Sequence, residues 1–119
     1  MVLVDTSVWV DHFRLGNQRL AALLENGDVV CHPFIIGELA CGNLPSRTDT
    51  LGCLLDLPRT RTAGQDEVMR LIEGRRLMGI GLGLIDVHLL AAALLDGIPV
   101  WTLDIPLKKA AAKLGLAFP

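Results

Sequence analysis

Four acids in this chain stand where an unpaired carboxylate is hardest to accommodate. Asp5 closes the β-branched run Val2-Leu3-Val4, and Asp104 closes Val100-Trp101-Thr102-Leu103. Glu38 has Phe34 and Ile35 one turn before it and Cys41 one turn after, while Asp86 sits between Leu82 and the pair Leu89-Leu90. Residues three and four apart share a helix face, so both carboxylates project from apolar faces. Burying an ionised carboxylate without a partner costs several kcal/mol. No Lys or Arg lies within four positions of Asp5, Glu38 or Asp86, although Lys108 is four beyond Asp104. A divalent cation is the economical compensation, because clustered carboxylates are hard oxygen ligands suited to Mg²⁺ or Mn²⁺. An open site of that kind makes a nucleophile from water and neutralises charge building on a phosphate. Metal-assisted phosphodiester hydrolysis fits. Each acid also has a plainer role: Asp5 and Asp104 suit helix N-caps, and Glu38 and Asp86 could pair with remote arginines.

The elements that must position these acids are legible as an alternation. Val2–Val4, Val29–Cys31 and Pro99–Leu103 read as strands, with Arg59–Thr62 a weaker one and Leu116–Phe118 an edge. Helices are expected over about Ser7–Arg14, Gln18–Glu25, Pro33–Cys41, Thr50–Leu57, Gln65–Met78 and Leu84–Leu95, with a last one from Pro106 to Gly115. Strands that are continuously apolar and separated by helices predict an α/β fold: a central parallel sheet of four or five strands, covered on both faces. In such a sheet the ligand site lies beyond the carboxyl ends of the strands. Asp5 and Asp104 are both at that rim.

The 119 residues suggest one domain, 1–119, with no repeat or linker. An apolar share of 51% excludes a disordered tail. The longest approach to a membrane span stops at Asp86, and only four residues precede Asp5, so neither a span nor a signal peptide is expected. The expected location is cytoplasmic. Three cysteines, Cys31, Cys41 and Cys53, make no CxxC or even framework and read as buried free thiols. Three histidines show no zinc spacing. With a net charge of −2, any nucleic-acid role must rest on a local site. Arg59, Arg61, Arg70, Arg75, Arg76, Lys108, Lys109 and Lys113 are the phosphate-binding candidates, with Asp66–Arg70 and Glu73–Arg76 also spaced as surface pairs. Trp9, Trp101 and the Leu89–Leu95 stretch read chiefly as core.

Together these residues carry a resemblance. Val2-Leu3-Val4-Asp5-Thr6-Ser7-Val8-Trp9, the step Gly37-Glu38-Leu39, the segment from Gly83 to Ala92 and Trp101-Thr102-Leu103-Asp104 resemble the motifs of PIN-domain ribonucleases, specifically VapC-type toxins of toxin–antitoxin pairs. The resemblance spans nearly the whole chain in the right order. It implies a Mg²⁺- or Mn²⁺-dependent endoribonuclease that cuts structured RNA such as transfer or ribosomal RNA. It implies that Asp5, Glu38, Asp86 and Asp104 form the family's acidic quartet. Asp5 and Asp86 are then the first direct ligands, and Glu38 binds metal or its water and orients the attack. Thr6, Ser7 and Thr102 become supporting groups or hydrogen-bond donors to RNA. Many relatives carry a basic residue after the last acid; here Ile105-Pro106 follows, leaving Lys108 or Lys109 as substitutes. A homodimer and a cognate antitoxin that blocks the acidic pocket are also implied.

Two other readings use the same residues. A domain that accepts phosphate on aspartate would also place Asp5 at a strand end with Mg²⁺, but Ser7 stands where its second acid belongs. A catalytically silent module would use the acids only to bind the antitoxin.

Overall fold

The computed structural model describes residues 1–119. The elements are β1 (Val2–Val4), α1 (Thr6–Leu15), α2 (Gln18–Glu25), β2 (Val29–Val30), α3 (Pro33–Ala40), α4 (Arg47–Asp56), α5 (Gln65–Arg75), α6 (Leu84–Asp96), β3 (Val100–Trp101) and α7 (Ile105–Lys113). The sheet is parallel with order β2-β1-β3. Its central strand, β1, is buried along its whole length, which is why Val2-Leu3-Val4 has no polar alternation. Register pairs Leu3 with Val30 on one side and with Val100 on the other. The chain leaves β1 for β2 at one edge and then crosses to the opposite edge for β3. Strand order therefore reverses at β1, and a crevice opens between the carboxyl ends of β1 and β3. Asp5 and Asp104 enter the structure there.

The expected four or five strands reduce to three. Arg59 and Ala117 do lie alongside, but each makes a single parallel bridge, to Cys31 and Val100. At the first edge, the Arg61 N–H that could lengthen the ladder donates to Asp96 Oδ2, and Arg61 Nε donates to Oδ1 at 2.7 Å. At the second, β3 is only two residues long, and Val100 N–H to the Leu116 carbonyl is the closing bond.

Two helix ends also differ from expectation. α4 begins at Arg47, three residues early, because Ser46 turns through a left-handed φ of 46° and Thr50 Oγ1 donates to the Pro45 carbonyl. The Arg47 guanidinium then binds the Gly42 and Ala40 carbonyls at the end of α3. α5 stops at Arg75, short of Met78, because Arg76 adopts φ 53° and Leu77 N–H bonds back to the Ile72 carbonyl.

One cluster of 25 buried residues forms the core, with Leu3, Ile35, Leu89, Leu90 and Leu107 among its fully enclosed members. α6 is buried from Val87 to Ala93, its small alanines lying inward, but Leu94 and Leu95 are more than a third exposed. Of the thiols only Cys31 is buried; Cys41, which follows α3, and Cys53, on α4, are exposed. Burial raises the Cys31 pKa to about 11, partly offset by a backbone hydrogen bond from His32 and by Arg59. The pairs Asp66–Arg70 and Glu73–Arg76 do not form; Arg61–Asp96 is the one ion pair present. No helix is long and apolar enough to cross a membrane.

Candidate active site

β1 delivers Asp5 to the crevice, with its N–H continuing the ladder to the Trp101 carbonyl at 2.9 Å. The residue is only 6% exposed, so its carboxylate depends on local donors. Ser7 Oγ and Thr102 Oγ1 each donate to Oδ2 at 2.7 Å, and Ser7 N–H approaches the same oxygen at 3.4 Å as α1 begins. A hydroxyl carries one proton, so the 3.2 Å approach of Ser7 Oγ to Thr102 Oγ1 is a consequence of sharing Asp5 and adds no further donor. The same two hydroxyls accept from the backbone beyond β3. Leu103 N–H reaches Ser7 Oγ at 2.9 Å, and Asp104 N–H reaches Thr102 Oγ1 at 3.0 Å. Asp5 and Asp104 are thus tied together through Ser7 and Thr102.

The remaining acids arrive on helices. α3 carries Glu38, exposed, whose Oε1 accepts from Thr6 Oγ1 at 2.8 Å. α6 carries Asp86, half-buried, whose Oδ2 accepts from Gly83 N–H at 2.9 Å and closes the first turn. Asp104, exposed, caps α7 by accepting from Leu107 N–H at 3.1 Å. The plainer capping role is therefore real for Asp5 and Asp104. It does not exhaust them: in all four carboxylates one oxygen is held by the chain, while the second receives no hydrogen bond from it.

The four also feel one another. The Asp86 carboxyl is raised above the usual carboxylate range, first by burial, then by the negative charges of Asp5, Asp104 and Glu38, against the lowering effect of Gly83 N–H. No arginine pairs with these acids; the ion pair that does form, Arg61–Asp96, lies ten residues and about 15 Å further along α6. No three His, Cys, Asp or Glu side chains close into a ready-made cage. Mg²⁺ keeps several waters and takes one or two carboxylates directly. The donor set, oxygen only and carrying excess negative charge, fits a hard dication.

A family profile described as PIN domain matches residues 2–113. Over 118 residues the chain is 45% identical to Ribonuclease VapC32 of Mycobacterium tuberculosis, in strains CDC 1551 and H37Rv, covering 98% of this chain and 95% of that protein. The structure titled FitAcB from Neisseria gonorrhoeae superposes with a TM-score of 0.66 at 21% identity, covering 94% of each chain, which supports the fold. The chain belongs to the PIN-domain family, among its VapC-type ribonucleases.

Two groups near the acids have roles that the sequence reading did not assign. Gly83 supplies the N–H that fixes Asp86, and the three-residue spacing of a capping box is the signal that could have shown it. Phe34, one turn before Glu38, stands edge-on to both His32 (5.1 Å) and His88 (4.8 Å), linking α3 to α6. His32 caps α3 by accepting from Phe34 N–H, and burial together with neighbouring His88 lowers its pKa to about 4.

Proposed function

We propose that this protein is a divalent-metal-dependent endoribonuclease that hydrolyses phosphodiester bonds in cellular RNA, as the toxin of a toxin–antitoxin pair. The observation that carries it is the half-satisfied state of four neighbouring carboxylates with no basic side chain paired to them. Asp5 and Asp86 would hold Mg²⁺ or Mn²⁺ directly, with Glu38 and Asp104 completing the negative wall. Such an ion, when bound, lowers the pKa of water and neutralises charge on the phosphate.

The chain's own part is orientation. Thr102 and Ser7 lock Asp5 Oδ2, so that Oδ1 has one direction to present. Thr6 locks Glu38 Oε1 and leaves Oε2 to orient the attacking water. Gly83 does the same for Asp86. Attack forms a P–O bond to water and breaks the bond to the neighbouring ribose oxygen, which leaves protonated. Transfer or ribosomal RNA is the substrate class, a cognate antitoxin with a basic side chain the fitting inhibitor of a wall this acidic, and a homodimer the working form, in the cytoplasm.

The test is to incubate the antitoxin-free protein with total RNA in Mg²⁺, Mn²⁺ or chelator, beside Asp5→Asn. Discrete fragments are expected only with metal and only from the unmodified protein. Cutting in chelator, or equal cutting by the variant, refutes the reading.

A further inference from the structure

Two clefts open along α1, and both run to the same side chain. One, of about 250 Å³, is lined by Ser7, Val10, Asp11, Arg14, Leu15 and Leu103. The other, of about 270 Å³, includes Thr6, Val10, Arg14, Glu38 and Asn43. Ser7, Val10 and Arg14 are spaced three and four apart, so they share a face of the helix, with Thr6 beside them. The first cleft thus reaches the Ser7 and Leu103 groups that frame Asp5 and Asp104, and the second reaches Glu38. Val10 and Arg14 join them into one track across α1, past the carboxylates.

Arg14 is exposed and makes neither an ion pair nor a hydrogen bond with the chain. Acids lie in its own clefts, but neither pairs with it: Glu38 accepts from Thr6, and Asp11 from Asn17 Nδ2 at 3.2 Å. Arg14 was absent from the basic residues that sequence marks for phosphate, because nothing in its spacing sets it apart. The floor of the track is apolar and open, with Val10 39%, Leu15 81% and Leu103 51% exposed. An apolar floor and an unpaired guanidinium on one track beside the carboxylates match a single nucleic-acid strand. The acidic wall would take the bond to be cut, the floor the nucleoside beside it, and a planar fork of donors the next phosphate.

We propose that Arg14 holds a backbone phosphate flanking the scissile bond and sets the path of the RNA strand across α1. This rests on the nuclease reading above. The test uses the full chain, Mn²⁺ and a single-stranded oligoribonucleotide that the unmodified protein cleaves, with KM and kcat measured across a salt series. For Arg14→Ala we expect KM to rise about tenfold with kcat within about twofold, and the slope of log KM against log salt to fall by about 0.7, the share of one single-strand phosphate contact. Arg14→Lys should restore the slope, and Arg14→Glu should raise KM further. Mn²⁺ affinity by calorimetry should be the same in all four proteins, which a general structural defect would not allow. If the unmodified protein cleaves RNA but Arg14→Ala matches it in KM and salt slope, this inference alone falls. Matching RNA kinetics with lost antitoxin binding also overturns it and assigns the track to the protein partner. If the unmodified protein does not cleave RNA with Mn²⁺, both readings fall together.

Discussion

Thr102 does at the single-residue scale what strand propensity alone would not require. Its hydroxyl gives a proton to a nearly buried Asp5 and takes one from the backbone of Asp104, so it couples two acids that lie 99 positions apart. Replacing it with valine keeps shape and removes both bonds. Hydrogen bonds to charged groups are worth about 1.5–3 kcal/mol, and groups that orient a metal ligand about 10–100-fold in affinity. Thr102→Val should therefore lose stability of that order in urea unfolding and bind Mn²⁺ at least tenfold more weakly by calorimetry; an unchanged affinity would mean that Asp5 needs no orientation. The four acids were legible in the sequence because each broke an apolar pattern. The roles of Gly83, Phe34 and Arg14 were not, since a glycine before a helix, an aromatic on an apolar face and an arginine on a surface face all have ordinary explanations until their neighbours are known.

At the scale of elements, the glycine-rich turn before α6 locates one acid by touching another's helix. Gly81 has a φ of +89°, and a Cβ placed on it would meet Pro106 Cγ at 3.2 Å, at the start of α7. Gly81→Ala must then both strain the backbone and push the helix capped by Asp104. A left-handed non-glycine residue costs about 1–2 kcal/mol, so a loss of at least that size is expected in urea unfolding, whereas Gly74→Ala, where nothing lies within 4 Å and the helix gains a better former, should gain up to about 1 kcal/mol. Sequence placed α2 at its observed bounds, because caps are local chemistry. It overcounted strands for the converse reason. Whether Arg59–Thr62 pairs along its length is decided by Asp96 taking the Arg61 N–H from 35 residues away.

At the scale of the whole molecule, stability has an acid limit built into its core. His32 is fully enclosed, with Nδ1 occupied by Phe34 N–H and Nε2 without a partner. Burial and His88 lower its pKa from 6.5 to about 4, so the unfolded chain takes up a proton before the folded one does. That contribution is complete above about pH 6.5, declines as pH falls and is gone below about pH 4, a difference on the order of 3 kcal/mol. Urea unfolding in chelator between pH 7 and 4 should show it, and the His32→Asn protein, which keeps a capping side chain, should show a shallower decline. Equal slopes would remove His32 as the cause.

Asp5, Asp86 and Asp104 each begin a helix as well as facing the crevice. Chemistry and architecture consequently share atoms. Truncating any of the three to alanine loosens a helix start along with the reaction, so a dead variant of that type says little about catalysis. The amide replacement, whose remaining carbonyl can still receive the N–H, separates the two. For the same reason, the fold presses only for an acceptor oxygen at these three positions, which asparagine also offers, and the negative charge itself is what the chemistry alone requires.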